Sequence, residues 1–109
     1  MKKLFIAAFM FVSSFGTNVM ADGHAIKMGI ILGFTGPIES LTPAMAASAE
    51  LAFKEASDSG SLLGGKKIEV VRADSTCVDS AAATAAAEGV ISQGVAAIMG
   101  ADCSGVTGA

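Results

Sequence analysis

The 109-residue sequence predicts an α/β fold on a parallel sheet, and three observations predict it. Short apolar segments rich in β-branched residues recur at 26–32, 67–73 and 95–99. Between them lie two segments with helical spacing and with start and stop residues at their ends. The order β-α-β-α-β then requires crossover connections, which leave consecutive strands parallel and the crossovers right-handed.

The first strand, residues 26–32, is almost continuously apolar, as a strand buried on both faces should be. Residues 33–41 form a loop rich in Gly, Thr, Pro and Ser. Thr42 and Pro43 supply an N-cap and a first-turn proline. Met45, Ala49, Ala52, Phe53 and Ala56 recur at helical spacing, and Glu50 with Lys54 forms an i,i+4 pair on the exposed side. Ser, Asp and Gly at 57–60 end this helix.

Gly64 and Gly65 make a turn before the second strand, where Ile68 and Val70 alternate with Glu69. Its charges, including Arg72, place it toward the sheet edge. Asp79 caps a second helix from Ser80 to about Gln93, built almost wholly of Ala, and Gly94 takes the C′ position. The third strand, 95–99, carries no charge and is expected to be central. The polarity of the three strands gives the order 2-1-3, with a crevice between the carboxyl ends of the first and third. Loops 34–41 and 101–107 meet there, and any ligand is expected between them.

The amino terminus has the three-part layout of a secretory signal. Lys2 and Lys3 precede an apolar run over 4–12, and Val19-Met20-Ala21 offers small residues for cleavage between Ala21 and Asp22. A membrane span needs about 20 apolar residues, and Ser13, Ser14, Gly16, Thr17 and Asn18 interrupt this run first. No Cys lies near the cleavage point for lipid attachment, so the mature chain is expected to have no stable membrane insertion. Cleavage removes Lys2 and Lys3 and makes the net charge more negative than the formal −3. A mildly acidic chain without a basic cluster argues against nucleic acid as a partner.

Cys77 and Cys103 are the only cysteines. Export carries them into an oxidising compartment, so a disulfide is the default and two free buried thiols the alternative. Without a helpful His they make no zinc site, since four ligands are usual. His24 lies near the mature start.

Residues 60–66 match the spacing of a phosphate-binding loop, G-x-x-x-x-G-K, but Lys67 follows where Ser or Thr should hold magnesium. The segment also precedes a strand, whereas the motif follows one and opens a helix. Gly29, Gly33 and Gly36 are spaced wrongly for a dinucleotide fingerprint, and no cofactor is expected. No acid–base or nucleophile pair can be assembled, which argues against an enzyme. Glu39, Asp74, Asp79 and Asp102 read as solvated loop charges and helix caps. The segment Asp102-Cys103-Ser104-Gly105-Val106-Thr107 is more informative. It offers hydroxyls and backbone N–H groups at a helix start, an arrangement suited to a carboxylate.

These residues resemble a known family. Ile30-Ile31-Leu32-Gly33-Phe34-Thr35-Gly36-Pro37, a helix ending in Glu55-Ala56-Ser57-Asp58-Ser59-Gly60, and Gly65-Lys66-Lys67-Ile68-Glu69-Val70 are similar to the leucine/isoleucine/valine-binding proteins. The likeness continues through Asp74-Ser75-Thr76-Cys77, the Ala-rich helix, and Ile98-Met99-Gly100-Ala101-Asp102-Cys103-Ser104. It implies a type I periplasmic-binding-protein fold that captures branched-chain or related amino acids, or amides, for an ABC importer and its permease subunits. It also implies that Cys77 and Cys103 form the first-lobe disulfide. Ser104 corresponds to the residue that helps hold the ligand α-carboxylate, with Gly105 and Thr107 as neighbouring candidates. Several members carry an aromatic residue over the ligand where this sequence has Leu41. The family is more than twice this length, so residues 1–21 are expected to be the signal and 22–109 the N-terminal, truncated part of the first lobe. The same fold also serves in receptors and amide-responsive regulators, which makes a sensor the alternative function.

Overall fold

The computed structural model describes residues 25–109. The expected leader, its cleavage point between Ala21 and Asp22, and His24 lie outside the described residues. Strands β1 (Ile26–Leu32), β2 (Ile68–Asp74) and β3 (Ala97–Gly100) form one parallel sheet in the order β2-β1-β3. This is the expected 2-1-3 arrangement of a partial type I binding-protein fold. β1 pairs with β2 from Ile26 opposite Ile68 to Leu32 opposite Asp74, and with β3 from Met28 opposite Ala97 to Ile31 opposite Gly100. The carboxyl ends of the three strands therefore finish in step.

Helices cover both faces, because side chains alternate along β1. Ile30 and Leu32 are buried with Ala46 of α1 (Thr42–Asp58), flanked by Phe34, Ala49, Phe53, Val70 and Met99. On the other face Gly29 lies under α2 (Ser80–Ser92), where a Cβ would stand 2.6 Å from Cγ1 of buried Val90. Only a residue without a side chain lets α2 sit this close to the sheet. β1 is thus buried on both faces over its carboxyl half, as its nearly continuous apolar sequence predicts. β3 is not central among the described residues: it pairs with β1 alone, with Ala97 and Gly100 exposed. It also begins two residues later than expected, and only the Ala96 N–H, donating to the Lys27 carbonyl at 2.8 Å, extends the pairing backwards.

The buried stripe of α1 differs in phase from the predicted one. Thr42, Ala46 and Ser57 are buried, Ala49 and Phe53 half-buried, while Met45 is 44% exposed and Ala52 faces solvent. Two polar anchors set this rotation. The Thr42 hydroxyl donates to the Gly33 carbonyl at 3.0 Å, and Ser57 Oγ accepts the Ile68 N–H at 2.8 Å. Thr42 is accordingly the first helical residue and not the cap; Leu41 occupies the N-cap position with no side-chain bond. The buried Gly33 carbonyl needs a donor at the point where β1 ends, and Thr42 supplies it.

The Glu50–Lys54 pair is also replaced. Arg72 on β2 grips Glu50 with two parallel bonds of 2.6 and 2.8 Å, and Lys54 pairs instead with Asp58. A planar guanidinium fork matches a carboxylate better than an ammonium does. Arg72 also lies 5.5 Å over the Phe34 ring. Asp79 caps α2 as expected, accepting from Ala81 and Ala82 N–H at 2.9 and 3.0 Å. Gly94, at φ 76°, closes the helix by donating to the Ile91 carbonyl. The Gly60-to-Lys66 segment holds a short 3-10 turn, Leu62–Gly64, and enters β2 at the end of the sheet opposite the strand carboxyl ends.

Candidate ligand-binding edge of the sheet

Three loops gather at the carboxyl ends of the strands, and two aspartates bind them together. Asp74, the last residue of β2, accepts the Thr35 hydroxyl at 2.6 Å, the Thr35 N–H at 3.3 Å and the Thr76 N–H at 2.8 Å. Burial pushes its carboxyl upward, but the bonds from Thr35 and Thr76 outweigh that and hold it below the ordinary aspartate value. The same contact brings Gly36, at φ 97°, so close that a Cβ there would collide with the Thr76 carbonyl oxygen. Thr76 and Cys77 themselves sit at φ 59° and 69°, a left-handed pair that is rare for side-chain-bearing residues. Asp74 below and the Asp79 N–H, donating to Thr76 Oγ1 at 3.1 Å, keep them there.

Asp102 makes the second clasp. Its Oδ2 accepts the Gly33 N–H at 2.9 Å, and its Oδ1 lies 3.5 Å from the hydroxyl of fully buried Ser75. Cys77 and Cys103 form a disulfide with their Cα atoms 5.2 Å apart, joining the loop after β2 to the loop after β3. The export argument therefore pairs these two cysteines correctly. Reading Asp74 and Asp102 as solvated loop charges is corrected: both are half-buried and accept bonds from neighbouring loops. Their signal in the sequence was position, one at the last residue of a strand and one just beyond the end of the next.

The residues singled out for ligand contact fall on the same edge. Ser104 and Gly105 are the exposed first residues of a short final helix, α3 (Ser104–Thr107), which buried Val106 anchors. A Cβ at Gly105 would meet nothing within 4 Å, so its outer side is open. Of the four N–H groups in this turn, those of Val106 and Thr107 donate to the Cys103 carbonyl at 3.2 and 2.9 Å, while those of Ser104 and Gly105 have no backbone acceptor. Thr107 is different: its hydroxyl lies 2.6 Å from the Ala101 carbonyl and 2.9 Å from that of Cys103, so its single proton is engaged with its own loop. Leu41, 61% exposed, belongs to the loop after β1. The Asp102–Gly33 bond is what connects that loop to the Ser104 loop. Among the described residues, no three His, Cys, Asp or Glu side chains form a group able to hold a metal ion.

Residues 25–109 match the family described as periplasmic binding protein. The chain belongs to the periplasmic binding protein family. No curated protein matches the sequence. Membership carries a solute-binding role, a small-molecule ligand and a periplasmic location, usually with membrane permeases as partners, and members of the family are typically binders without catalysis. No helix among the described residues is long and apolar enough to cross a membrane.

Proposed function

We propose that this periplasmic binding protein is the solute-binding component of an ABC importer and captures branched-chain or related amino acids. The observation that carries this reading is the Asp102–Gly33 bond, which holds the Ser104 loop and the loop leading to Leu41 at one end of the sheet. Ser104 and Gly105 offer a hydroxyl and first-turn N–H groups, donors that suit an α-carboxylate. Thr107 supports the loop from beneath. Leu41 stands exposed at the start of α1, where an apolar side chain can lie against an aliphatic ligand. The leader over residues 1–21, cut between Ala21 and Asp22, delivers the protein to the periplasm, and permease subunits receive the ligand.

Binding without chemistry requires only that the closed state hold the ligand more tightly than the open one. A thermal-shift screen of the complete, processed gene product tests the proposal. Leucine, isoleucine or valine at a hundredfold excess over its dissociation constant should stabilise the protein by about 2.7 kcal/mol. A shift with small amides or aromatic acids, and none with aliphatic amino acids, would remove the branched-chain assignment and keep solute capture.

A further inference from the structure

We propose that Asp102 is a positioning residue: its carboxylate sets the spacing between the two loops that face the ligand, and so places Ser104. The inference rests on the reading that a ligand carboxylate lies at Ser104. The disulfide does not span these two loops directly: it ties the Ser104 loop to the loop after β2, which in turn meets the loop after β1 through Asp74 and Thr35. Among the described residues, the side-chain bond that spans from the β3–α3 loop to the β1–α1 loop is Asp102 Oδ2 to the Gly33 N–H, at 2.9 Å. Gly33 is itself held firmly. Its carbonyl accepts the buried Thr42 hydroxyl at 3.0 Å, and a Cβ on it would lie 3.1 Å from the Cβ of Cys77. The anchor therefore runs from α1 through Thr42 and Gly33 to Asp102, two residues before Ser104.

A carboxylate serves this purpose better than a neutral acceptor, since a bond to an ionised group is shorter and stronger. Its second oxygen faces the buried Ser75 hydroxyl at 3.5 Å. Small displacements matter here, because a ligand held between two loops loses its bonds when their separation drifts.

The test uses the complete gene product with Asp102→Asn, Asp102→Ala, Ser104→Ala and, as a control for general destabilisation, Asp79→Ala. Two quantities are read: amide hydrogen exchange at Gly33 without ligand, and affinity for L-leucine by titration calorimetry. Gly33 exchange should rise roughly tenfold or more in Asp102→Ala and less in Asp102→Asn, whose amide oxygen still accepts. Leucine affinity should fall in the same order, with Asp102→Asn as the partial rescue. Asp79→Ala should lower the melting temperature while leaving Gly33 exchange and affinity as they were. Unchanged Gly33 exchange in both Asp102 variants overturns the proposal, as does an affinity loss no larger than that of Asp79→Ala. If Asp102→Ala does not fold, the isosteric Asp102→Asn decides. If the parent binds no leucine, or Ser104→Ala binds it undiminished, while Gly33 exchange responds as expected, the spacing role of Asp102 stands and the assigned ligand site is what fails.

Discussion

The hydroxyl of Thr35 donates to Asp74 at 2.6 Å, joining the loop after β1 to the end of β2 across 39 residues of sequence. An ionised acceptor strengthens the bond, and the Asp74 carboxyl is held below its ordinary value of 3.8 even though burial pushes it the other way. A group with a depressed folded-state value contributes stability that is complete above the unfolded value. That contribution is lost as pH falls through the folded one. Stability should thus decline as pH drops past 3.8 toward the lowered value. Asp74→Asn should cost roughly 1 kcal/mol at pH 7, the range of a net hydrogen bond to a charged group once partial exposure is allowed for. It should also flatten the acid limb. Urea titrations of parent and variant between pH 7 and 3 measure both effects; an acid limb of equal steepness in the two would exclude Asp74 as its source.

The Cys77–Cys103 disulfide closes a loop with a sequence separation of 26. In the chain-entropy account, such a closure stabilises by roughly 3–4 kcal/mol through its effect on the unfolded chain. The double variant Cys77→Ser, Cys103→Ser should lose about that much, and the reduced parent should match it. Denaturant midpoints with and without a dithiol reductant give the comparison. A double variant as stable as the oxidised parent would show that the loops hold together without the covalent link.

Much of the framework was legible because it rests on patterns that local chemistry dictates. The nearly continuous apolar run of β1 reflects burial on both faces, Asp79 before an Ala-rich segment reflects a cap, and Gly94 reflects a left-handed close. The rotation of α1 was not legible. Its phase is set by Thr42 and Ser57, polar residues that an apolar periodicity count passes over, each buried because a distant backbone group needs a partner. The same reason hid the roles of Asp74 and Asp102. A carboxylate at a strand end looks solvated until the neighbouring loop that donates to it is in place, and that neighbour is 39 or 69 residues away. Ser104 and Gly105 were reached through resemblance and helix-start chemistry, while the engagement of the Thr107 proton depends on a loop conformation that spacing does not encode.

Ser57 provides a test of the hidden anchors. Its oxygen accepts the Ile68 N–H at the first residue of β2, and the side chain is only 6% exposed. Ser57→Ala removes the acceptor and leaves that N–H without a partner, at a cost of about 1–3 kcal/mol. Chemical denaturation should show the loss, and amide exchange at Ile68 should accelerate. An unaltered Ile68 exchange rate would mean that another group takes the place of Ser57.

Arg72 of β2 and Glu50 of α1 form a two-bonded ion pair, yet their side chains are 45% and 35% exposed. Solvent screening limits such a pair to about 1 kcal/mol or less. Arg72 has a second role, since its guanidinium covers the Phe34 ring. Glu50→Gln should therefore cost less than Arg72→Met, and a double-mutant cycle should return a coupling below about 1 kcal/mol that shrinks with added salt. A coupling of several kcal/mol, insensitive to salt, would place the pair in a drier setting than its exposure indicates.

Two glycines should respond to alanine with opposite signs. Gly89 lies inside α2, and a Cβ there would meet nothing within 4 Å. Gly89→Ala removes backbone freedom from the unfolded chain and should stabilise the protein by roughly 0.5–1 kcal/mol. Gly36 sits at φ 97°, and its Cβ would strike the Thr76 carbonyl oxygen. Gly36→Ala must either hold alanine in a left-handed conformation, costing of order 1–3 kcal/mol, or push the β1–α1 loop away from Thr76. The second route would also stretch the Thr35–Asp74 bond, because residues 35 and 36 move together. Melting temperatures should accordingly rise for Gly89→Ala and fall for Gly36→Ala. The fall should be smaller in an Asp74→Asn background, where the Thr35 bond is already weakened. Strict additivity of the two substitutions would show that the Gly36–Thr76 approach and the Asp74 clasp are independent.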